Sequence, residues 1–514
     1  MSAPYSRDAL LARLAATPSW DVLVIGGGAT GLGCALDAAA RGYSVLLVEA
    51  RDFAAGTSSR STKLIHGGVR YLAQGRFSLV REALRERGHL LRNAPALVRP
   101  LRFVVPARGR LDRLRLRVGL GLYDRLAGGL RIAPCEGLEP AALGAMMPGV
   151  LTPGAGGVAY WDAQFDDAAL ALSLARSASQ HGALVLNHCR ADGLLQAGGR
   201  VCGAVLAERA SGRSFEVLAR VVVNATGVWG DAVRRMADPR AHTLLRPSQG
   251  VHLVVDAAFL PGRDALLVPH TDDGRVLFMI PWQGKLLIGT TDTPREDVPE
   301  EPAPLAGEVE GLLAAAGRWL VRAPDMADVR SVFAGLRPLL GGSSAEASSR
   351  VSREHRVEVS AQGLVSVLGG KWTTYRSMAE QAIDCAEAVA GLAHRASSTA
   401  TLGLDCDMPW GCTAPHDAAL LPGGQHAGLL PGVDAVRHAV REGFALDVED
   451  VLARRSRVLF LDSAAAQAAA APVADILAAE LGWSAERRAE SLAAFHALAG
   501  RYRSGSCTQA SSPP

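Results

Sequence analysis

The stretch DVLVIGGGATGLGCALDAAARGYSVLLVE, residues 21–49, restricts the fold more than any other part of the chain. Residues 22–25 are apolar and end in glycines, the pattern of a strand buried on both faces. Small residues at helical spacing fill 29–41, and Gly42 stands where a helix C-terminal glycine belongs. Residues 44–48 form a second apolar run. Strand, helix and strand in this order make a βαβ unit, so the chain opens on a parallel sheet.

Gly26, Gly28 and Gly31 fall between the first strand and the helix. This spacing permits a tight turn, close approach of backbone to a pyrophosphate, and close packing of helix on strand. The helix N-terminus adds N–H groups and the positive end of its dipole. Glu49 ends the second strand, placed to accept hydrogen bonds from a ribose. An acid there would repel a 2′-phosphate, which favours FAD or NAD over NADP. Two later turns, NATGVW at 224–229 with Gly227 and the Gly369-Gly370-Lys371 turn, read either as backbone near a cofactor or as plain strand–helix connections.

The chain has 514 residues, enough for two or three units. Residues 76–132 are Arg-rich and mostly helical in pattern, 251–291 alternate in strand fashion, and a strand–turn–helix returns near 370. Residues 433–503 are alanine-rich and helical. One domain is therefore expected to be built from distant pieces with a second domain inserted. A net charge of +3 is too even to argue for nucleic acid. Eight scattered cysteines without a C-x-x-C or zinc spacing point to reduced thiols in a cytosolic setting, with no structural metal. The N-terminus lacks the pattern of a secretory signal, and no run of about 18 apolar residues is present to span a membrane.

TSSRSTKLIHGGVRYL (57–72), RVLFMIPWQGKLLIGTTD, FAGLRPL and LGGKWTTYRSMAE occur in this order. Together they resemble the FAD-dependent, quinone-linked glycerol-3-phosphate dehydrogenases, over residues 20–400, with a weaker match through VEDVLARRSRVLFLD at 447–462. The resemblance implies an α/β fold with a Rossmann-type FAD-binding domain of the DAO kind. It also implies an inserted antiparallel-sheet substrate domain and a C-terminal helical domain. The expected divisions are a core over 19–397, with FAD-binding parts at 19–75, 155–240 and 345–397 and the substrate part mainly at 241–344, then helices over 402–503. The implied reaction is oxidation of sn-glycerol 3-phosphate to dihydroxyacetone phosphate, with electrons passing through FAD to a membrane quinone.

Such a reaction needs a base for the hydroxyl proton, a hydride acceptor and a cationic clamp on the phosphate. By resemblance, Arg70, Tyr71, Arg353 and Lys371 would hold the phosphate, and Arg337 would lie near the reacting end. Each arginine taken singly reads as a solvated surface residue. His252 is the candidate base; His66 reads as a wall of the pocket, and Lys371 could act as base if cationic neighbours lowered its pKa. Thr57, Ser58, Ser59, Lys63, Thr373 and Thr374 are expected at the cofactor, although hydroxyls near helix starts also serve as caps. Two positions depart from the family pattern. Ala169 replaces a frequent Arg, and Gln249 a frequent Lys, which weakens the electrostatic case around His252. No EF-hand loop is present, so calcium control is not expected.

From Arg76 to Arg117 twelve Arg face only Glu82, Glu86 and Asp112, a local net of +9. Within it, LDRLRLRVGLGLYDRL suits an anionic membrane surface, or else a solvated helix face or an oligomer contact. The implied location is cytoplasmic, peripheral on the inner face of the cell membrane. Alternatives stay open: an oxidase passing electrons to oxygen, a related FAD enzyme acting on an amino or 2-hydroxy acid, or a non-catalytic flavin-binding protein. The oligomeric state, homodimer included, is not fixed by the sequence.

Overall fold

The structure, a computed structural model, describes residues 5–151, 154–269, 271, 276–341, 354–408, 420–421 and 429–505. Strand β1 (Ser19–Ile25), helix α1 (Ala29–Ala40) and strand β2 (Val45–Val48) form the expected parallel βαβ unit. All four residues of β2 are buried, as an apolar strand covered on both faces requires.

A short helix, α2 (Val69–Ala73), precedes the Arg-rich region, which carries the longer helices α3 (Phe77–Asn93) and α4 (Arg110–Leu126). That region is not purely helical: Val98–Pro106 between α3 and α4 is a strand. That strand pairs along its length with Gly157–Phe165, and both belong to the second sheet. The second sheet therefore recruits residues well before 241.

Strand β3 (Ser214–Asn224) returns to the first sheet and runs parallel to β1, placing NATGVW beside the glycine turn. Strands β4 (Leu245–Asp256) and β5 (Ser331–Leu340) then pair antiparallel in the second sheet, with His252 opposite Phe333 and Ser248 opposite Arg337. Strand β6 (Val365–Gly369) goes back to the first sheet, parallel to β3, and leads into the helix Tyr375–Ala390. Among the described residues the first sheet has eight strands and the second ten. The chain crosses between them repeatedly, so the turns at the ends of β1, β3 and β6 face the floor of the second sheet.

The C-terminal part is helical, with Val433–Arg441, a π-helical turn at Asp450–Arg455, Val458–Leu461, Ser463–Leu481 and Ala485–Gly500. Ser463–Leu481 is long and apolar enough to cross a membrane by length and composition. One face of it, including Ala466, Ala470, Val473 and Leu477, is packed into the core shared with the second sheet. Among the described residues Cys34, Cys135, Cys189, Cys202, Cys385 and Cys406 are free thiols.

Candidate active site

A single cavity of about 500 Å³ joins the glycine turn to the second sheet. At one end Gly26, Gly28, Thr30 and Glu49 line it. A Cβ at Gly31 would run into the Gly26 carbonyl, so only glycine lets α1 start this close to β1. The Glu49 carboxylate accepts the Gly27 N–H (2.6 Å) and the Arg51 N–H (2.9 Å), which fixes its direction at the cavity edge. Burial, partly offset by those two amides, raises its pKa. Ser58 Oγ accepts the Ala29 N–H (3.0 Å), so this hydroxyl serves as a cap for α1 while lining the cavity. Thr57 Oγ1 donates to the Leu336 carbonyl (2.6 Å) and ties this wall to β5. Gly227 and Gly370, at the ends of β3 and β6, close the same wall.

At the other end stand His252 and Arg337, brought together by β4 and β5. The His252 ring stacks on Phe333 (4.9 Å between centroids) and its Nε2 lies 3.0 Å from Thr62 Oγ1. Its Nδ1 is buried with no hydrogen-bond partner among the described residues. Burial first, then the charges of Lys63 and Arg337, hold this imidazole well below its usual pKa, so it is neutral near pH 7. Arg337 donates to Thr290 Oγ1 (3.0 Å) and to the carbonyls of Thr291 (3.1 Å) and Gln249 (3.2 Å), with Asp292 3.4 Å away. A Cβ at Gly250 would collide with Arg337 Nη2, so this glycine lets the guanidinium lie flat on β4.

Lys371 and His66 complete the wall. Lys371 Nζ sits over the Tyr71 ring, 3.9 Å from its centroid. Tyr71 is reached through Lys371 and is not itself part of the lining. The His66 backbone brackets Thr373 Oγ1, with N–H at 3.3 Å and carbonyl at 3.4 Å. For Arg70 the structure describes the backbone, within α2, and not the side chain; Arg353 lies outside the described residues.

Residues 21–376 match the family model for FAD dependent oxidoreductases, and 431–488 match the C-terminal domain of alpha-glycerophosphate oxidase. A glycerol-3-phosphate dehydrogenase of Mycobacterium leprae is 38% identical over 525 residues, covering 94% of this chain and 88% of that protein. The chain belongs to the FAD-dependent glycerol-3-phosphate dehydrogenase family. The human mitochondrial glycerol-3-phosphate dehydrogenase is 36% identical, over 95% of this chain and 74% of its own length. The solved glycerol-3-phosphate dehydrogenase from Bacillus halodurans, complexed with FAD, is 27% identical with a TM-score of 0.79, covering 99% of this chain and 100% of that one.

The cavity fits the family's FAD. The glycine cradle at a helix N-terminus, the acid ending β2 and the turns closing β3 and β6 are the donor set an FAD-dependent fold uses. Lys63 departs from its expected place at the cofactor. It is fully buried outside the cavity, its Nζ 2.7 Å from Asp167 and 2.7 Å from the Ser59 carbonyl, lying over the rings of Trp282, Phe333 and Phe460. Gln249 is also turned away. It bonds Glu308 (2.8 Å) and Arg295 (2.8 Å) outside the cavity, so a lysine's absence there does not thin the cavity's own charge. Asp167, beside Ala169, is paired by Lys63 and by Arg457 (3.0 Å) from the C-terminal helices. Sequence reasoning passed over Thr62, which touches His252, and Arg51, which lines the cavity and is held by Glu449 (3.0 Å). Thr62 lies in the quoted 57–72 segment, while nothing near Arg51 in the sequence signals its partner.

Proposed function

We propose that this protein oxidises sn-glycerol 3-phosphate to dihydroxyacetone phosphate and passes the electrons to a membrane quinone. The observation that supports this most is the continuity of one cavity from the glycine turn to His252, Arg337 and Lys371. FAD, when bound, supplies the hydride acceptor. His252, neutral and pressed against Phe333, takes the substrate hydroxyl proton on Nε2, beside Thr62 Oγ1. Arg337 stabilises the alkoxide that develops there, because Thr290 and the backbone of β4 hold its guanidinium in place beforehand. Lys371, set over Tyr71, joins Arg70 and Arg353 in clamping the phosphate and fixing which carbon meets the flavin.

The exposed apolar and Arg-bearing face of α4 supports a peripheral membrane location. A second acceptor, oxygen, is favoured by the match of 431–488 to an oxidase's C-terminal domain. Anaerobic addition of sn-glycerol 3-phosphate to the FAD-loaded protein should bleach the flavin absorbance, and its enantiomer should not. Bleaching by both enantiomers, or by neither, overturns the reading. Quinone reduction exceeding peroxide yield supports the quinone, and the reverse supports oxygen.

A further inference from the structure

The turn His66-Gly67-Gly68 joins the short strand Leu64–Ile65 to α2 and so connects the cavity wall to the residues read as the phosphate clamp. It is tied down on two sides. On the cavity side Thr373 brackets the His66 backbone. On the far side the Tyr123 hydroxyl accepts the Gly67 N–H at 2.7 Å. Tyr123 belongs to α4, whose opposite face is on the surface, and is not part of the cavity lining.

The hydroxyl is itself oriented. Tyr123 donates to Asp162 (2.8 and 3.0 Å), and Arg87 of α3 donates to the same carboxylate (2.7 Å). Tyr123, Asp162 and Arg87 are each about 1% exposed, so water does not compete. A phenol has one proton to give. Because Asp162 takes it, a lone pair is left for the Gly67 N–H. Burial, with the Asp162 charge, keeps this phenol protonated well beyond the usual range, so the hydroxyl keeps its proton for Asp162. A phenylalanine would keep the edge-to-face contact with Tyr160. The hydroxyl and the ion pair behind it therefore serve the turn and are not needed for packing.

We propose that Tyr123 is a positioning residue for substrate binding: its hydroxyl, aimed by Asp162 and Arg87, fixes the His66–Gly68 turn and thereby the start of α2, which carries Arg70 and Tyr71. Arg87, Asp162, Tyr123 and Gly67 form one chain of donors and acceptors that ends at the substrate wall. This inference rests on the reading that His66 to Tyr71 faces sn-glycerol 3-phosphate.

The test is anaerobic stopped-flow reduction of the FAD-loaded enzyme by sn-glycerol 3-phosphate, comparing Tyr123→Phe with the unaltered protein. Loss of the acceptor should raise the half-saturating concentration about tenfold, the effect of one buried hydrogen bond, with the limiting rate and FAD content nearly unchanged. Asp162→Asn combined with Arg87→Gln keeps the phenol and removes both buried charges together, leaving no buried arginine unpaired, so a smaller rise in the same constant is expected. That second variant carries the test if Tyr123→Phe fails to fold. An unchanged half-saturating concentration overturns the proposal, as does a fall in limiting rate or FAD content without such a rise. If the unaltered enzyme is not reduced at all, the functional reading fails, and this inference falls with it.

Discussion

His252 stands where β4 meets the cavity, with one ring face on Phe333 and one nitrogen on Thr62. Replacing it with Asn keeps a polar side chain of similar reach but removes the base. His252→Asn should lower the limiting rate of flavin reduction by about 10²–10⁴-fold, the usual contribution of general-base catalysis. FAD content should stay the same, because His252 lies at the far end of the cavity from the Gly26–Gly28 turn. Visible absorbance of the purified variant, followed by rapid-mixing reduction, measures both. At this scale the sequence showed residue types but not surroundings. His252 was singled out by the resemblance, because a histidine on an apolar strand taken alone reads equally well as a satisfied core residue. The place of Lys63 was not legible, because nothing in STKLIHGG tells that its ammonium turns away from the cavity to Asp167 and three aromatic rings.

The 57–68 segment has little regular structure, a 3-10 turn at Thr57–Ser59 and the two-residue strand Leu64–Ile65, and charged contacts with distant residues help to hold it. Arg60 makes a double contact with Glu301 (2.6 and 2.6 Å), Arg457 reaches the Ser59 carbonyl (2.8 Å), and Lys63 meets Asp167. These anchors come from positions hundreds of residues away, which is why the segment's shape was not readable from its own pattern. The βαβ unit was readable, because β1, α1 and β2 carry their periodicity locally. Val98–Pro106 was hidden, since Arg99, Pro100 and Arg102 interrupt the alternation that would mark a strand. Lys63 also sets the electrostatics of the site. Burial, opposed by Asp167 and assisted by Arg457, brings its pKa down to about 7, and its positive charge disfavours protonation of His252. Lys63→Met removes that charge, so the imidazole gains a proton more easily. The acid limb of kcat/KM should move to higher pH than in the unaltered enzyme. A pH profile with the acid limb unmoved would show that Lys63 only packs.

At the scale of the whole molecule, the C-terminal helices also dock on loops of the first sheet, through a buried cluster of charges. Arg455 and Arg454 both reach Asp52, Arg454 also holds Glu449 and Asp450 (2.7 Å each), and His188 Nε2 lies 2.9 Å from Asp450. Helices in 433–503 were legible from composition, but their docking was not, because its partners, Asp52 and His188, lie in loops of another domain. Burial would lower the His188 pKa, but Asp450 outweighs it and raises it. A raised folded pKa means the stabilisation is full below the unfolded value, about 6.5, and is lost as pH rises through the folded value. His188 has a left-handed backbone, which asparagine tolerates better than most residues. His188→Asn should cost about 1.5–3 kcal/mol below pH 6.5, the range for a hydrogen bond to a charged group. The gap in melting temperature between the two proteins should narrow as pH rises above that; a constant gap would refute the linkage.

The outer face of α4 carries an exposed apolar stripe. Leu111 is 73% exposed, Leu114 58%, Val118 66% and Leu122 40%. Their spacing of three, four and four puts them on one stripe of the helix, while Leu120 and Tyr123 are buried on the other side. Exposed Arg110, Arg115, Arg117 and Arg125 accompany the stripe. Apolar side chains that would otherwise stay in water, together with arginines, match the boundary between lipid headgroups and acyl chains. The two contributions can be separated. Reversing Arg110, Arg115 and Arg117 to Glu should weaken binding to vesicles containing anionic phospholipid by about a hundredfold or more, and most strongly at low salt. Changing Leu111, Leu114 and Val118 to Gln should weaken binding to anionic and to neutral vesicles alike, with little dependence on salt. Both sets lie on the side of α4 away from Tyr123, so reduction of the flavin by sn-glycerol 3-phosphate in detergent should persist. Vesicle co-sedimentation of the FAD-loaded protein decides it: if both sets sediment like the unaltered protein, α4 is a solvated helix and carries no membrane contact.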